Sequence, residues 1–478
     1  MGAAALSGRL RRGGSWGVGL RGDAVRPPPK ARGRPLGGMA SAALGGRLGG
    51  FLQGVYTALP MDPYIRLTTI AFLLFMARGM TGPLSSLYWR ELGASYLVIG
   101  LLGTVTSVVA IAFSYLWGRA SDRLGQRKVF LVGGLLGLAL CFAMLAGVRG
   151  AEVLFPIYAV SAMAQAAYDT ARLALMGDWL EHRGRRRQRN GQAGSAGANA
   201  GRRMGTYRGL ASLGFGLMAF ISGSIADRLS LRVPFALGAG FFTVALVLAL
   251  GVREAPEAEP SDDERASALQ GGSAATGDAP RLPLPPLLIA ALLWSLVTGA
   301  VYAVWANYMV EELGYTAAQM TRLWSVSSLS EFPLMILAGW LSDRVGRLPM
   351  LAVGFLAWTL VFVGYLVTPM LPFIVLVQLI RGFAYSAHTA TAMTYAAEVR
   401  ARAERGRVSG LYGTSGALGS ILGSSLGGAA TEFVGFRALI GACAGVIFAG
   451  ALYLGGAAAR FRSRLRPTAV PESSAPSA

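Results

Sequence analysis

Two stretches of the sequence repeat one pattern of glycine, aspartate and arginine. The first reads Gly118-Arg-Ala-Ser-Asp-Arg-Leu-Gly-Gln-Arg-Lys128, and the second reads Gly339-Trp-Leu-Ser-Asp-Arg-Val-Gly-Arg347. The second stretch begins 221 residues after the first, and each follows a long apolar block. A repeat on this scale indicates an internal duplication, which is common among membrane transporters.

The apolar residues around these stretches form twelve blocks, each long enough to cross a bilayer. Hydrophobic residues make up 53% of the 478 residues, and charged residues only 14%. Because the backbone must satisfy its own hydrogen bonds in lipid, the blocks predict α-helices. The expected fold is an all-α integral membrane protein, with twelve transmembrane helices in two pseudo-symmetric six-helix bundles. The predicted spans are Leu67–Tyr88, Tyr96–Trp117, Val129–Val148, Val153–Leu175, Met204–Ile225, Val233–Val252, Leu287–Tyr308, Met320–Leu341, Leu351–Val367, Leu371–Tyr395, Val408–Thr431 and Ala438–Ala458.

The composition also predicts how the chain is divided. The N-terminal region is rich in Gly and Arg, so we expect a disordered basic tail, or an extended start with Met39 as the true initiator. An acidic segment rich in Pro, Gly and Ser separates the two sets of six spans, which is typical of a disordered linker. The predicted divisions are a tail at 1–60, bundles at 64–252 and 287–459, a cytoplasmic linker at 253–286 and a disordered cytoplasmic tail at 460–478.

The net charge of +20 predicts the orientation of the chain in the membrane. With both termini in the cytoplasm, the inner loops carry most of the loop arginines, including the run His182–Arg189, as the positive-inside rule requires. The basic excess therefore predicts contact with the lipid bilayer rather than with nucleic acid. Only Lys30 and Lys128 are lysines, which suggests a GC-rich genome and a bacterial inner membrane.

The pattern G-x-x-x-D-R-x-G-(R/Q)-R resembles motif A of the major facilitator superfamily. The resemblance covers about Leu67–Ala458 and implies two bundles that rock around a central cavity by alternating access. It also implies a cytoplasmic gate, in which glycines allow close helix packing and aspartates cap a helix or pair with Arg. The alternative is a charged topological stop at each helix end. The gate residues would be Gly118, Asp122, Arg123, Gly125, Arg127, Gly339, Asp343, Arg344 and Gly346.

The same resemblance implies that the first, fourth, seventh and tenth spans line the cavity. Most of the deeply placed ionisable residues lie on those spans, and Glu331 in the eighth is the main exception. Such groups are costly in lipid unless they face a cavity or a partner. The predicted substrate-binding or coupling residues are Arg78, Gln165, Tyr168, Asp169, Tyr302, Trp305, Glu331, Arg381, Tyr385 and His388.

These residues have alternative roles. Glu331 is the first choice for a proton-coupling carboxylate and Asp169 the second, although Asp169 could instead form a local ion pair with Arg172, three residues away. Arg78 could bind an anionic substrate group or engage Glu331 from the opposite half. His388 could relay protons or be a hydrogen-bonded bystander.

The eleventh span carries Gly419, Gly423 and Gly427 at a spacing of four residues. This spacing places the three glycines on one face of a helix. A face of small residues predicts close packing against another helix.

The sequence excludes several other classes of protein. It contains no Walker phosphate loop, and its two histidines, His182 and His388, cannot build a zinc site. We therefore expect a monomeric secondary transporter for a small organic solute, which uses a proton gradient and no cofactor or metal. The alternatives are a drug/proton antiporter-type efflux pump, whose usual Gly-Pro element is missing from the fifth span, and a non-transporting sensor or lipid flippase.

Overall fold

The computed structural model describes residues 61–189, 196–254, 282–399 and 405–465. The expectations for the tail at 1–60, most of the linker and the C-terminal tail lie outside these residues. Helices cover all twelve predicted spans. We number them α1 (Pro63–Glu91), α2 (Tyr96–Leu124), α3 (Arg127–Gly147), α4 (Leu154–Arg189), α5 (Ala196–Arg228), α6 (Arg232–Leu250), α7 (Leu284–Glu312), α8 (Ala317–Val345), α9 (Arg347–Val367), α10 (Leu371–Glu398), α11 (Arg405–Val434) and α12 (Phe436–Leu465).

Nine helices in the described ranges are long and apolar enough to cross a membrane. The other three helices, α4, α8 and α11, are less apolar because of the polar residues and glycines that they contain. Asp169 and Arg172 lie in α4, Glu331 lies in α8, and α11 is rich in glycine and serine. Polar groups are therefore frequent on these three helices, and Arg78 on α1 and Arg381 on α10 add charges to helices that are otherwise apolar.

The two halves of the helix bundle repeat the same contacts. In the first half α1 packs on α5 and α6, and α3 packs on α4 and α6; in the second, α7 packs on α11 and α12, and α9 on α10 and α12. The hydroxyl of Tyr88 donates to the carbonyl of Leu145 at 2.7 Å, and that of Tyr308 donates to the carbonyl of Tyr365 at 2.7 Å. Both pairs are 57 residues apart. These hydrogen bonds establish an offset of 220 residues between α1 and α7.

Glycines on α11 bring it into close contact with α7. A Cβ atom on Gly419, Gly423 or Gly427 would overlap the backbone carbonyl oxygen of Leu292, Leu296 or Ala300, respectively. The predicted small-residue face on this helix is thus confirmed. The neighbouring Gly428 faces α2 instead, where it packs on Gly100 of the other half.

The two halves are held together at one end of the bundle. We call the end that holds Arg90 and Glu311 the outer end, because the charge distribution predicts that it faces outside. There the Glu311 carboxylate accepts from the Tyr96 hydroxyl and from the Asn307 amide at 3.0 Å. It also lies 3.8 Å from Arg90. Glu311 therefore joins its own half to two residues of the opposite half.

Two further carboxylates join the halves at the outer end, and we call them the acid caps. Glu432 on α11 accepts from the backbone N–H of Tyr96 at 2.7 Å, and Asp227 on α5 accepts from the backbone N–H of Ala318 at 2.9 Å. Each carboxylate reaches the N-terminus of a helix in the opposite half, where free N–H groups and the helix dipole favour negative charge. The acid caps therefore repeat one interaction across the duplication and close the outer end.

We predict that Gly423→Ala destabilises the protein. The added Cβ would meet the Leu296 carbonyl oxygen, so α7 and α11 would have to move apart. Overpacking of this kind costs about 1–3 kcal/mol. The measurement is the melting temperature of the purified protein in detergent. The matched control is Gly413→Ala on the same helix, where nothing lies within 4 Å of the added atom. Equal melting temperatures for the two variants would contradict close packing at Gly423.

We predict that removing both acid caps opens the outer end. The double variant Asp227→Asn, Glu432→Gln retains the size of both side chains but removes the charges that face the two helix N-termini. A cap of this kind contributes about 0.5–2 kcal/mol, which is enough to change the populations of two conformations.

Distances between spin labels at the outer end measure this change. Leu229 and Glu312 are exposed positions in opposite halves that suit the labels, once the buried Cys141 and Cys443 are replaced. We expect a new population at longer distance in the double variant. Glu152→Gln, a change at an exposed carboxylate of the outer end, is the control and should leave the distances unchanged. An unaltered distribution in the double variant would rule out the acid caps as a closure.

Candidate substrate and coupling site

A cavity of about 510 Å³ lies between the two halves, and we call it the central cavity. The second half supplies most of its wall. Aromatic rings and hydroxyl groups surround two opposite charges, Glu331 and Arg381. The lining residues are Phe75, Ser212, Phe215, Trp294, Ser295, Thr298, Gly299, Tyr302, Trp324, Ser328, Glu331, Arg381, Tyr385 and Ser420.

Aromatic rings surround the guanidinium group of Arg381. The group lies 4.7 Å from the ring centre of Tyr302, 4.6 Å from that of Trp324 and 5.5 Å from that of Trp305. Arg381 is only 6% exposed and donates to the Gln378 amide oxygen at 3.0 Å. Ring faces attract a cation, so this cage holds a charge in the apolar interior without a directly bound carboxylate.

Glu331 lies on α8 and is half-buried in the wall of the central cavity. Arg381 is close enough to attract it electrostatically. Among the described residues, however, no basic nitrogen lies within 4.0 Å of this carboxylate, whereas such pairs are found elsewhere in the bundle. Glu331 thus faces a cavity and has an opposite charge nearby, without a direct ion pair in the part of the chain that the structure describes.

Asp169 is arranged differently. Its carboxylate accepts from Arg172 at 2.9 Å and from Gln165 at 2.7 Å. Arg172 also donates to the Tyr207 hydroxyl on α5 at 2.9 Å. The local ion pair considered for Asp169 is therefore present, and it connects α4 to α5. Both carboxylate oxygens of Asp169 are therefore engaged by neighbouring side chains.

Arg78 lines a second cavity of about 340 Å³ in the first half, which we call the N-half chamber. Its guanidinium carbon lies 5.8 Å from the ring centre of Phe75, a residue of the central cavity. The expected engagement with Glu331 is not found, because the two residues line different cavities. The chamber is lined by Arg78, Thr106, Ser107, Ala110, Leu138, Phe142, Ser161, Ala162, Gln165 and Phe242.

A third cavity of about 380 Å³ adjoins these two toward the outer end. It shares Gly299, Tyr302 and Trp324 with the central cavity, and Thr106 and Ser107 with the N-half chamber. The three cavities are therefore neighbours that share parts of their walls.

Three predicted residues lie behind the cavity wall. Trp305 and Tyr168 are fully buried and line none of these cavities. Trp305 instead packs against Arg381, because its position on α7 turns toward α10. His388 stacks on Trp294 at 4.4 Å, and neither ring nitrogen has a hydrogen-bond partner in the described chain. The hydrogen-bonded bystander considered for His388 is therefore wrong: the ring is buried among aromatic residues.

The two copies of the motif end their helices in the same way. Gly125 follows α2 with φ 62° and Gly346 follows α8 with φ 99°, a backbone conformation that favours glycine. Just after each turn, an arginine pairs with an acid at the inner end of a helix in its own half. Arg127 pairs with Asp178, and Arg347 forms two bonds with Glu398 at 2.8 and 3.0 Å. Both pairs are 51 residues apart.

The expected close packing at Gly118 and Gly339 is not found in this conformation. A Cβ atom on Gly118 would lie 3.9 Å from Thr170, and one on Gly339 would have nothing within 4 Å. The reason is that the close contacts between halves lie at the outer end, so the inner ends are not pressed together.

The charged residues of the motif contact their own half. Asp122 and Arg123 are exposed. Asp343 accepts from Arg347 at 2.6 Å, and Arg344 lies over the Trp340 ring at 3.8 Å. Among the described residues, these charged groups therefore do not join the two halves, whereas the acid caps join them at the outer end.

The residues predicted from the sequence do not include Trp324, Asp178, Glu398 or the acid caps. Trp324 lies seven residues before Glu331 on α8, a spacing that places both on one helix face. The equal 51-residue separation of the two arginine–acid pairs was also visible in the sequence. The acid caps had no such signal, because they depend on which helices of opposite halves meet.

Comparisons with known proteins agree with this architecture. Residues 67–330 and 287–477 each match the Major Facilitator Superfamily. A sugar efflux transporter of Escherichia coli K12 is 25% identical over 66% of this chain and 73% of its own length. A Deinococcus radiodurans protein named for sugar efflux is 24% identical over 81% of this chain and 96% of its own length.

Solved structures share the fold. A crystal structure of the nucleoside transporter NupG covers 85% of this chain and all of its own, with a TM-score of 0.65 at 16% identity. A peptide transporter POT structure covers 86% of this chain and 98% of its own, with a TM-score of 0.62 at 14% identity. The predicted all-α membrane fold and the resemblance read from the repeated motif are thus confirmed. The chain belongs to the Major Facilitator Superfamily and is a multi-pass membrane transporter, not an enzyme.

Proposed function

We propose that this transporter moves a small hydroxylated organic solute and couples that movement to protons through Glu331. The observation that carries the proposal is the central cavity, where Glu331 is half-buried near Arg381 and no described basic group pairs with it directly. A carboxyl group of this kind can take up a proton without breaking an ion pair. Its change of charge would then alter the balance with Arg381 and favour a different conformation.

Sugars are the first solutes to test. The cavity offers the rings of Trp294, Tyr302, Trp324 and Tyr385 together with the hydroxyls of Ser295, Thr298 and Ser328. Flat rings and hydroxyl groups together suit a solute with apolar faces and many hydroxyls. The two bacterial relatives carry names of sugar efflux transporters, which supports this class and the outward direction.

The proposal also includes the cellular location of the protein and its orientation in the membrane. Both termini would face the cytoplasm of a bacterial cell, since this orientation puts most of the loop arginines inside. The divisions at 64–252 and 287–459, with a linker at 253–286, stay predictions. We also propose that the protein acts as a monomer and needs no cofactor besides the proton gradient.

We predict that Glu331→Gln uncouples transport from protons. Purified protein in liposomes should drive uptake of a labelled sugar along an imposed pH gradient, whereas Glu331→Gln should move sugar only down its own gradient. Sugar exchange at equal pH should persist in the variant, because a neutral side chain of the same shape keeps the cavity intact. Gradient-driven transport at the normal rate in Glu331→Gln would contradict the proposal.

The matched control is Asp169→Asn. Asp169 binds Arg172 and Gln165, so its loss should lower the melting temperature while the dependence on the pH gradient remains. Removing one partner of a buried polar interaction is a structural effect of about 1–3 kcal/mol. If Asp169→Asn abolishes coupling and Glu331→Gln does not, the two carboxylates have exchanged roles.

A further inference from the structure

The N-half chamber and the central cavity are equivalent sites of the duplicated fold. The offset between halves is 220 residues for α1 and α7, from Tyr88 and Tyr308, and also for α4 and α10, from Asp178 and Glu398. It is 221 for α2 and α8, whose N-terminal turns are capped by Ser95 and Thr316.

These offsets match five residues that line one cavity with five that line the other. The pairs are Arg78 with Thr298, Ser107 with Ser328, Ala110 with Glu331, Ser161 with Arg381, and Gln165 with Tyr385. The two cavities are therefore two copies of one ancestral pocket, and their differences in charge can be compared position by position.

The comparison shows that the charges are not equivalent. The central cavity holds an acid and a base, Glu331 and Arg381. In the N-half chamber the position of the acid is Ala110 and that of the base is Ser161, while Arg78 stands where the other half has Thr298. The chamber thus has a base of its own, from a different helix, and no acid in its wall.

Arg78 has no carboxylate partner within the described ranges. Its guanidinium carbon lies 5.8 Å from the centre of the Phe75 ring. No described acid lies within 4.0 Å of this guanidinium, whereas ion pairs at such distances are found elsewhere in the bundle. The acid on the neighbouring α4, Asp169, is already bound to Arg172 and Gln165. A cation midway along a transmembrane helix is costly unless a cavity or an anion offsets it.

We propose that the N-half chamber binds the anionic group of the transported solute, a carboxylate or a phosphate, through the guanidinium of Arg78. Gln165 and the hydroxyls of Thr106, Ser107 and Ser161 would hold the hydroxyl groups beside it. The guanidinium presents paired N–H donors that match both kinds of anion. This inference rests on the proposed function and narrows its substrate class from hydroxylated solutes to hydroxylated anions, with protons handled in the other half.

Equilibrium binding to the purified full-length protein tests the proposal without any gradient. The probes share one hexose scaffold: glucose is neutral, glucuronate carries a carboxylate and glucose 6-phosphate carries a phosphate. Calorimetric titration should show at least one anion binding about tenfold or more tightly than glucose, the usual gain from a charged hydrogen bond. The anion that is preferred identifies which of the two groups the chamber takes.

Variants at Arg78 test whether this residue is responsible for the preference for anions over glucose. Arg78→Gln should reduce the affinity for the preferred anion to that for glucose, and Arg78→Lys should retain part of it, because the charge stays while the paired donors are lost. The control is Arg119→Gln, the same change at an exposed arginine that contacts Tyr115 outside the cavities. It should leave all affinities unchanged.

Three results would overturn the subsite: equal affinities for glucose and both anions, an anion preference that survives Arg78→Gln, or no anion binding up to about 10 mM, above the usual range of such sites. The result is independent of the coupling test. Failure of the coupling test would bear on Glu331 alone and would not change the affinity for anions measured in detergent. Normal coupling with no anion preference removes the subsite and keeps the proposed transport.

Discussion

Two carboxylates accept hydrogen bonds from helix N-termini of the opposite half and hold the two halves together at one end of the bundle. Asp227 reaches the first turn of α8, and Glu432 reaches that of α2. Gly100 on α2 and Gly428 on α11 let these two helices approach closely. The central cavity lies between halves that are joined at this end.

The duplication has given the two halves the same framework but different charges. Tyrosine hydrogen bonds and arginine–acid pairs recur at equal separations in both halves, so they preserve the helix packing. The cavity residues have diverged, since only the central cavity has both an acid and a base in its wall. The proposed proton site and the proposed anion site lie in different halves, so the two ions would not compete for the same group.

The sequence predicted what depends on spacing along a single helix. The twelve spans, the repeat and the small-residue face of Gly419, Gly423 and Gly427 follow from such spacing, and so does the choice of Glu331 and Arg381 as deeply placed charges. Other features depend on how a helix is rotated and which helix lies beside it. The burial of Trp305 behind Arg381 and the bonds of Asp169 to two neighbours are of this kind, and periodicity alone does not reveal them.

The three less apolar helices have a consequence for biogenesis. Each of α4, α8 and α11 has a neighbour in sequence, α3, α9 or α12, that is apolar enough to cross a membrane by itself. A helix with a poor transfer free energy enters lipid more readily when a strongly apolar partner is released from the translocon with it. We therefore expect these helices to insert as hairpins, so that the polar groups needed for transport first meet lipid already shielded by a neighbouring helix.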